Sequence, residues 1–288
     1  MRIDRESVNA YAATLPAAAQ VPPLDPHAHA LEGDREQRAA FIICLDAINF
    51  GSGWWPTIRK RPGRSGYFTI ATALAEHFRE AGPPSPRELT EVSAPMLAPI
   101  FEQDPAHPLM GQFASSLRDV GEHVLADHGG RFAAVIDAAD GSAVELASLL
   151  AGWEAFADVS RYDEREVPFF KRAQIAAADT HLAGLAHLPD RDHLTAFADN
   201  LVPHVLRVDG VLVLEETLRE RIEAGELLEH GAPPEVELRA CAVHAIELLS
   251  DEVGRRLAPA DIDYMLWNRG RSERYKSLPR PRSRTTAY

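Results

Sequence analysis

Pro234 to Leu249 reads PEVELRACAVHAIELL. At helical spacing this stretch sets Leu238, Ala242, Ala245 and Leu249 on one stripe, and it leaves Glu235 and Arg239 four residues apart, where they meet as neighbours. Pro234 stands at a first-turn position, where its missing N–H is harmless. The stretch predicts a scaffold helix. The same period recurs almost everywhere else, while β-branched runs with strict alternation are nearly missing, so the predicted fold class is all-α. Predicted helices cover Glu6–Leu15, Glu36–Phe50, Phe68–Ala81, Met110–Asp127, Ser142–Phe156, Pro168–Ala186, Asp190–Ala198, Pro203–Val208, Leu214–Glu223, Pro234–Leu249 and Pro259–Trp267. Ser142 with Glu145 three residues on has the form of a capping box.

A chain of 288 residues can bury one large core or two closely packed lobes. With 45% hydrophobic and 25% charged residues it lacks the composition of a disordered chain. The expectation is one compact domain over residues 1–288, its weakest continuity at Pro83, Pro84 and Pro86, near residues 82–87. Cys44 and Cys241 lie in apolar helical patterns and are read as core residues rather than as a disulfide or thiolate site. The start lacks the apolar segment of a signal peptide, and no window approaches the ~20 apolar residues of a membrane span. A cytoplasmic protein without membrane contact is expected.

The net charge of −13 disfavours a stable nucleic-acid complex, which requires a basic face. Charge is unevenly placed, however. Asn268 to Tyr288 carries six Arg and one Lys against one Glu. A short basic end on an acidic body suits one small anion; the plain alternative is a solvated tail. Asn49 to Gly66 (NFGSGWWPTIRKRPGRSG) breaks the helical pattern with four glycines, two prolines, two adjacent tryptophans and four basic residues, and reads as a structured loop.

Five stretches contain residues suited to chemistry, and each has a structural alternative. Asp25-Pro-His27-Ala-His29 has the spacing of paired histidines at the mouth of a metal-dependent amidohydrolase barrel. That motif needs an apolar strand before it and strand–helix units after it, and neither is present; His27 is read instead as a hydrogen-bonding ring entering a pocket. Asp46 lies in an otherwise apolar helical run with Asn49 and Phe50 a turn further on, so it either braces the structure or faces a polar cavity. Lys171 and Gln174 share a helix face, solvated or turned to a ligand. Asp199 follows Phe197 and precedes Pro203 at a helix junction, as a cap or as a carboxylate that stabilises a developing cation. Asp263 and Trp267, four apart, put a hydrogen-bond acceptor beside a flat apolar surface, which suits either a core or a planar heterocycle.

Together LDAINFGSGWWP (45–56), FFKRAQI (169–175), FADNLVPHVLR (197–207), GVLVLEETL (210–218) with PPEVELRACAVHAIELL (233–249), and DYMLWNRG (263–270) resemble the queuosine salvage protein family, the queuosine 5'-phosphate N-glycosidases. They follow the family's order. The tail PRPRSRTTAY departs from the family's pattern of His before an Arg-Thr run, so no phosphate contact is assigned there. The resemblance implies packed helices similar to those of helical DNA glycosylases, with queuosine 5'-phosphate, queuosine and queuine as small-molecule ligands. It makes Asp199 the catalytic carboxylate and places Phe197, Asp263 and Trp267 around the 7-deazaguanine, with His27, Asp46 and Lys171 as further substrate-binding residues. As the base departs the sugar carbon becomes cationic, so a fixed carboxylate beneath it stabilises the transition state more than the ground state. A covalent intermediate and an ion stabilised while water attacks both remain open. Hydrolysis needs no redox cofactor, and no ligand set for a metal is evident. The competing readings are a metal amidohydrolase built on His27 and His29, and a non-catalytic module that binds a modified nucleoside.

Overall fold

The computed structural model describes residues 1–19 and 21–288. Helical periodicity becomes helices α1 (Arg5–Ala12), α2 (Arg35–Ala47), α3 (Gly66–Ala81), α4 (Pro86–Thr90), α5 (Ala94–Ile100), α6 (Pro108–Asp127), α7 (Phe132–Asp137) and α8 (Ala143–Ala151). Beyond these lie α9 (Lys171–Leu182), α10 (Leu201–Val208), α11 (Glu216–Glu223), α12 (Pro233–Glu252), α13 (Pro259–Arg269) and α14 (Glu273–Lys276). Strands are confined to two antiparallel ladders: β1 (Arg2–Ile3) with β4 (Leu212–Val213), and β2 (Val159–Tyr162) with β3 (Arg165–Pro168). No described helix is long and apolar enough to cross a membrane.

Helix α2 is apolar all round and buried from Ala39 to Ala47, as a central helix must be. An Asp34–Gln37 capping box starts it. Around it gathers the larger core, including Phe50, Phe113, Val135 and Phe156. A second core joins α1, α10, α12 and α13 through Val8, Val205, Ala245, Leu249 and Leu266. Trp267 packs against both cores and so marks the seam between them.

Three expectations are corrected. Asp190–Ala198 is not a helix: a single 3-10 turn over Arg191–His193 gives way to irregular chain up to Asp199. Its successive side chains enter different packing groups, Ala196 with α12 and α13, Phe197 with the α2 core, Ala198 with Phe169 and Val236. Side chains from other elements satisfy its backbone, as buried peptide groups require. Gln174 Oε1 accepts from Thr195 N at 2.8 Å, Asp263 Oδ2 from Phe197 N at 3.0 Å, and Arg239 Nε donates to the Ala198 carbonyl at 2.8 Å. Second, the helix expected from Pro168 begins only at Lys171, after the β2–β3 hairpin and a left-handed Phe170. Third, Ser142 caps α8, but the partner that completes the cap is Asp190, which accepts from Ala143 N at 2.7 Å and from the Ser142 hydroxyl at 2.6 Å.

The buried side of α12 carries an ion pair. Arg239, 1% exposed, makes two parallel bonds to Asp158, Nη1–Oδ1 at 2.9 Å and Nη2–Oδ2 at 2.6 Å, and its guanidinium lies between the rings of Phe169 and Tyr288. Asp158 Oδ2 also accepts from Lys171 N at 3.0 Å, at the start of α9.

The last stretch of the basic end packs on the body, with Pro281, Ser283, Thr285, Ala287 and Tyr288 buried, while Arg271, Arg274, Lys276 and Arg284 stay exposed. Asn200 Nδ2 donates to the Pro281 carbonyl at 2.9 Å, Leu228 N to the Arg282 carbonyl at 2.8 Å, and Gly51 N to the Tyr288 carbonyl at 3.2 Å. A Cβ at Gly53 would lie 2.2 Å from the Ser283 carbonyl oxygen, so this close approach of loop and tail requires glycine.

Breaking a buried pair leaves an uncompensated charge, so Arg239→Ala is expected to lower the unfolding free energy by about 3–5 kcal/mol in denaturant titration. Asp158→Ala should add far less in that background than alone; additive losses would show the two groups to be uncoupled.

Candidate active site

Asp199 sits at the end of this irregular stretch, half-buried, immediately before α10. Its Oδ1 accepts from the backbone amides of Leu201 at 2.8 Å and Val202 at 2.9 Å. The capping reading is thus realised by one oxygen, while Oδ2 makes no hydrogen bond to the described residues. Burial pushes the Asp199 carboxyl above the ordinary range, against the opposing pull of Lys171 and the two amides.

The carboxylate lies on the wall of a cavity of about 280 Å³. Phe197, Asp263, Trp267 and Lys171 line the same space. Phe197 packs edge-on to Tyr264 at 5.5 Å, and Trp267 edge-on to Tyr67 at 5.8 Å, so flat apolar walls alternate with polar tips. Burial and the neighbouring Asp199 charge hold the Asp263 carboxyl well above its usual range. Lys171 donates from Nζ to the Asn49 carbonyl at 2.8 Å, and burial pulls its ammonium down to about 8, with Asp199 the largest influence opposing this.

Asp46, expected to bind substrate, is fully buried and is not among the residues that line the cavity. One of its oxygens accepts from Asn49 Nδ2 at 3.3 Å and the other has no partner. His27 is exposed and does not line the cavity. Asp25 Oδ1 accepts from His27 N at 2.9 Å in a tight turn that throws this ring outward and brings His29 inward two residues later. His29 lines the cavity with both ring nitrogens engaged, Nδ1 with the Asp25 carbonyl at 2.9 Å and Nε2 with the Tyr67 hydroxyl at 3.3 Å. The two rings thus face apart, which the paired-ligand arrangement does not allow. Among the described residues no three His, Cys, Asp or Glu side chains converge as metal ligands.

Several lining residues escaped the sequence reading. Asp179 and Tyr264 form a hydrogen bond on the cavity wall, beside Tyr67 and Arg271. Tyr264 adjoins Asp263 in DYMLWNRG and Asp179 lies two turns after Lys171, so both were within reach of helical-face reasoning. A second, wider cleft of about 680 Å³ shares Tyr67, Asp199, Trp267 and Arg271 with the first. Lys60, Arg64, Lys276, Arg280 and Arg282 line it. Burial and the adjacent cation Arg282 lower the Arg280 guanidinium, which also feels the Asp199 charge. Asp199 therefore stands where an aromatic cavity meets a basic cleft.

Lys171→Met removes the cation that most favours ionised Asp199. The Asp199 carboxyl is then expected to titrate at still higher pH than in the wild type, read from its ¹³C shift; an unmoved midpoint would show that the ammonium does not act on it.

The profile of the queuosine salvage protein family matches residues 28–288. Among curated proteins, the chain is similar to a queuosine 5'-phosphate N-glycosylase/hydrolase of Sphaerobacter thermophilus, 32% identical over 99% of this chain and 92% of that one. Proteins of the same description from Nematostella vectensis and Mus musculus are 29% and 28% identical over 86% and 89% of this chain, and 81% and 83% of theirs. A match across nearly all of the described structure, including every stretch that builds the cavity, means that the chain belongs to the queuosine salvage protein family.

Proposed function

We propose that this chain hydrolyses the N-glycosidic bond of queuosine 5'-phosphate to give queuine and ribose 5-phosphate. One observation carries the reading: a carboxylate, locked through one oxygen and free at the other, lies between a flat-walled cavity fit for a base and a basic cleft fit for a phosphate. The activity named for the relatives agrees with it.

The base lies between Phe197 and Trp267, and the ribose lies over Asp199. The bond from the anomeric carbon to the base nitrogen breaks with its electron pair leaving on the base. Positive charge then develops at the sugar carbon, and Asp199 Oδ2 faces it while the two amides keep the carboxylate from turning away. A 7-deazapurine lacks the ring nitrogen at position 7, so the leaving electron pair must be relieved elsewhere on the base. Asp263, whose carboxyl burial and the neighbouring Asp199 charge push well above its usual range, supplies a hydrogen bond for this purpose. Water completes the reaction, either at the ion or at a covalent ester of Asp199, with its hydroxyl on the sugar and a proton to the base. Arg280 with Lys60 and Arg282 in the adjoining cleft binds the 5'-phosphate. His27, outside both spaces, has no part in this scheme. The setting is cytoplasmic, and the acidic body disfavours a stable nucleic-acid complex.

Asp199→Asn preserves the shape of the cap and removes the charge. Release of queuine followed by chromatography is expected to fall by roughly 10³-fold in kcat; a wild-type rate would exclude this mechanism. Because the active form is ionised and burial raises its titration, kcat/KM should fall as pH drops through a value above the ordinary carboxylate range. Arg280→Ala should raise KM for the nucleotide by roughly 10–100-fold while changing the reaction of the unphosphorylated nucleoside far less, and an equal effect on both would remove Arg280 from the phosphate site.

A further inference from the structure

A single side-chain bond ties the carboxylate end of the site to its basic end. Asn200 follows Asp199 at the N-cap of α10, where an asparagine side chain ordinarily accepts from the second or third helical amide. Here it caps nothing, because Asp199, one residue earlier, accepts from Leu201 N and Val202 N in its place. The Asn200 amide, in a residue 6% exposed, donates instead from Nδ2 to the Pro281 carbonyl at 2.9 Å. Two turns along the same helix face, Arg207 donates from Nη2 to the Pro279 carbonyl at 2.7 Å. Helix α10 therefore grips the tail on either side of Arg280, and Leu228 N holds the Arg282 carbonyl at 2.8 Å.

Arg280 is the residue held in this way. It is half-buried, makes no ion pair among the described residues, and stands near enough to Asp199 to feel its charge. Lys60 and Arg282 crowd beside it in the cleft; burial and the two arginines lower the Lys60 ammonium. Cations set together repel one another, so no mutual attraction fixes Arg280, and its place rests on the backbone around it. Helix α10 supplies that place, and its first amides supply the place of Asp199. A phosphate bound at Arg280 and a sugar carbon over Asp199 are thus referred to one helix. Binding energy from a part of the substrate that does not react lowers the barrier when the frame between the two points holds the reacting atoms in line.

Resting on the function proposed above, we propose that Asn200 is a positioning residue: its bond to Pro281 fixes the phosphate-binding Arg280 relative to Asp199, so that the 5'-phosphate raises kcat as well as tightening binding. Arg207 supports the same register from the other side of Arg280 and lines neither the cavity nor the cleft. Without the Asn200 amide the tail relaxes from α10, the phosphate still meets cations, and the anomeric carbon loses its alignment with Asp199 Oδ2. A misplacement of about 1 Å costs on the order of 10²-fold in rate.

The test compares wild type with Asn200→Ala on queuosine 5'-phosphate and on the unphosphorylated nucleoside, by chromatography of released queuine. On the nucleotide kcat is expected to fall by roughly 10–100-fold, with a far smaller loss on the nucleoside, which has no phosphate to misplace. In the Arg280→Ala background, Asn200→Ala should lower kcat/KM for the nucleotide little further, because both act through one contact. Arg207→Met should show a loss of about 2–10-fold with the same preference for the nucleotide, the strength of one hydrogen bond. If thermal unfolding shows that Asn200→Ala does not fold, Arg207→Met decides. Equal losses on the two substrates, or losses that add to those of Arg280→Ala, overturn the positioning role and leave the proposed hydrolysis standing. If the wild type releases queuine from neither substrate, the proposed function falls, and the coupling is read from the ¹³C shift of Asp199. An anion bound at Arg280 disfavours the ionised carboxyl, so ribose 5-phosphate should raise the Asp199 titration midpoint in the wild type and raise it less in Asn200→Ala. An unmoved midpoint in the wild type, or the same rise in both proteins, overturns the role.

Discussion

The bidentate contact between Arg239 and Asp158 is the constraint on which the site depends. It is an ion pair taken out of water, supported by further hydrogen bonds from both partners. Arg239 spends its third donor on the Ala198 carbonyl, next to Asp199, and Asp158 spends an oxygen on the amide of Lys171. The anion and the cation that face one another across the cavity are therefore held from behind by one rigid fork. Phe169 and Tyr288 enclose the guanidinium and keep water from competing for it.

This arrangement explains why the chain abandons helix where helix is most expected. Between His193 and Asn200 the backbone lies at the meeting of several packing groups, with its peptide groups bonded to Gln174, Asp263 and Arg239. A segment free of the helical repeat can send neighbouring side chains into different packing groups, as Ala196, Phe197 and Ala198 do here. Asp199 emerges at its end facing the amides of α10, so one carboxylate oxygen is immobilised without any other side chain. Its second oxygen keeps its full acceptor capacity beside the cavity.

Electrostatics divide the cavity and its mouth into regions of different character. Basic residues from the Asn49–Gly66 loop and from the tail meet in the outer cleft, while Asp179 and Asp263 line the interior. Asp199 stands at the border, where Lys171 and Arg280 both favour its ionised form. A chain of net charge −13 thus presents a local basic face.

Much of the fold was legible in the residues. The stripe through α12, the apolar helix α2 and the capping signals at Ser142 follow from short-range physics, and these elements stand where the pattern puts them. Phe197, Asp199, Asp263, Trp267 and Lys171 were each legible as polar or aromatic groups in unusual places, and they line one cavity. Their convergence was not legible, because it depends on contacts between residues tens of positions apart. The same holds for the choice of His29 over His27, which one turn decides, for the end of the tail, which packs against the Asn49–Gly66 loop and Asn200, and for Arg239. The sequence offers that arginine a partner four residues away in Glu235, which the fold keeps at 3.9 Å; the fold adds Asp158, 81 residues distant, at hydrogen-bonding range. Local periodicity determined which segments coil and which face is apolar, since those depend on neighbours along the chain. Only tertiary packing decided which charges are buried together, because that depends on what the closed fold denies to water.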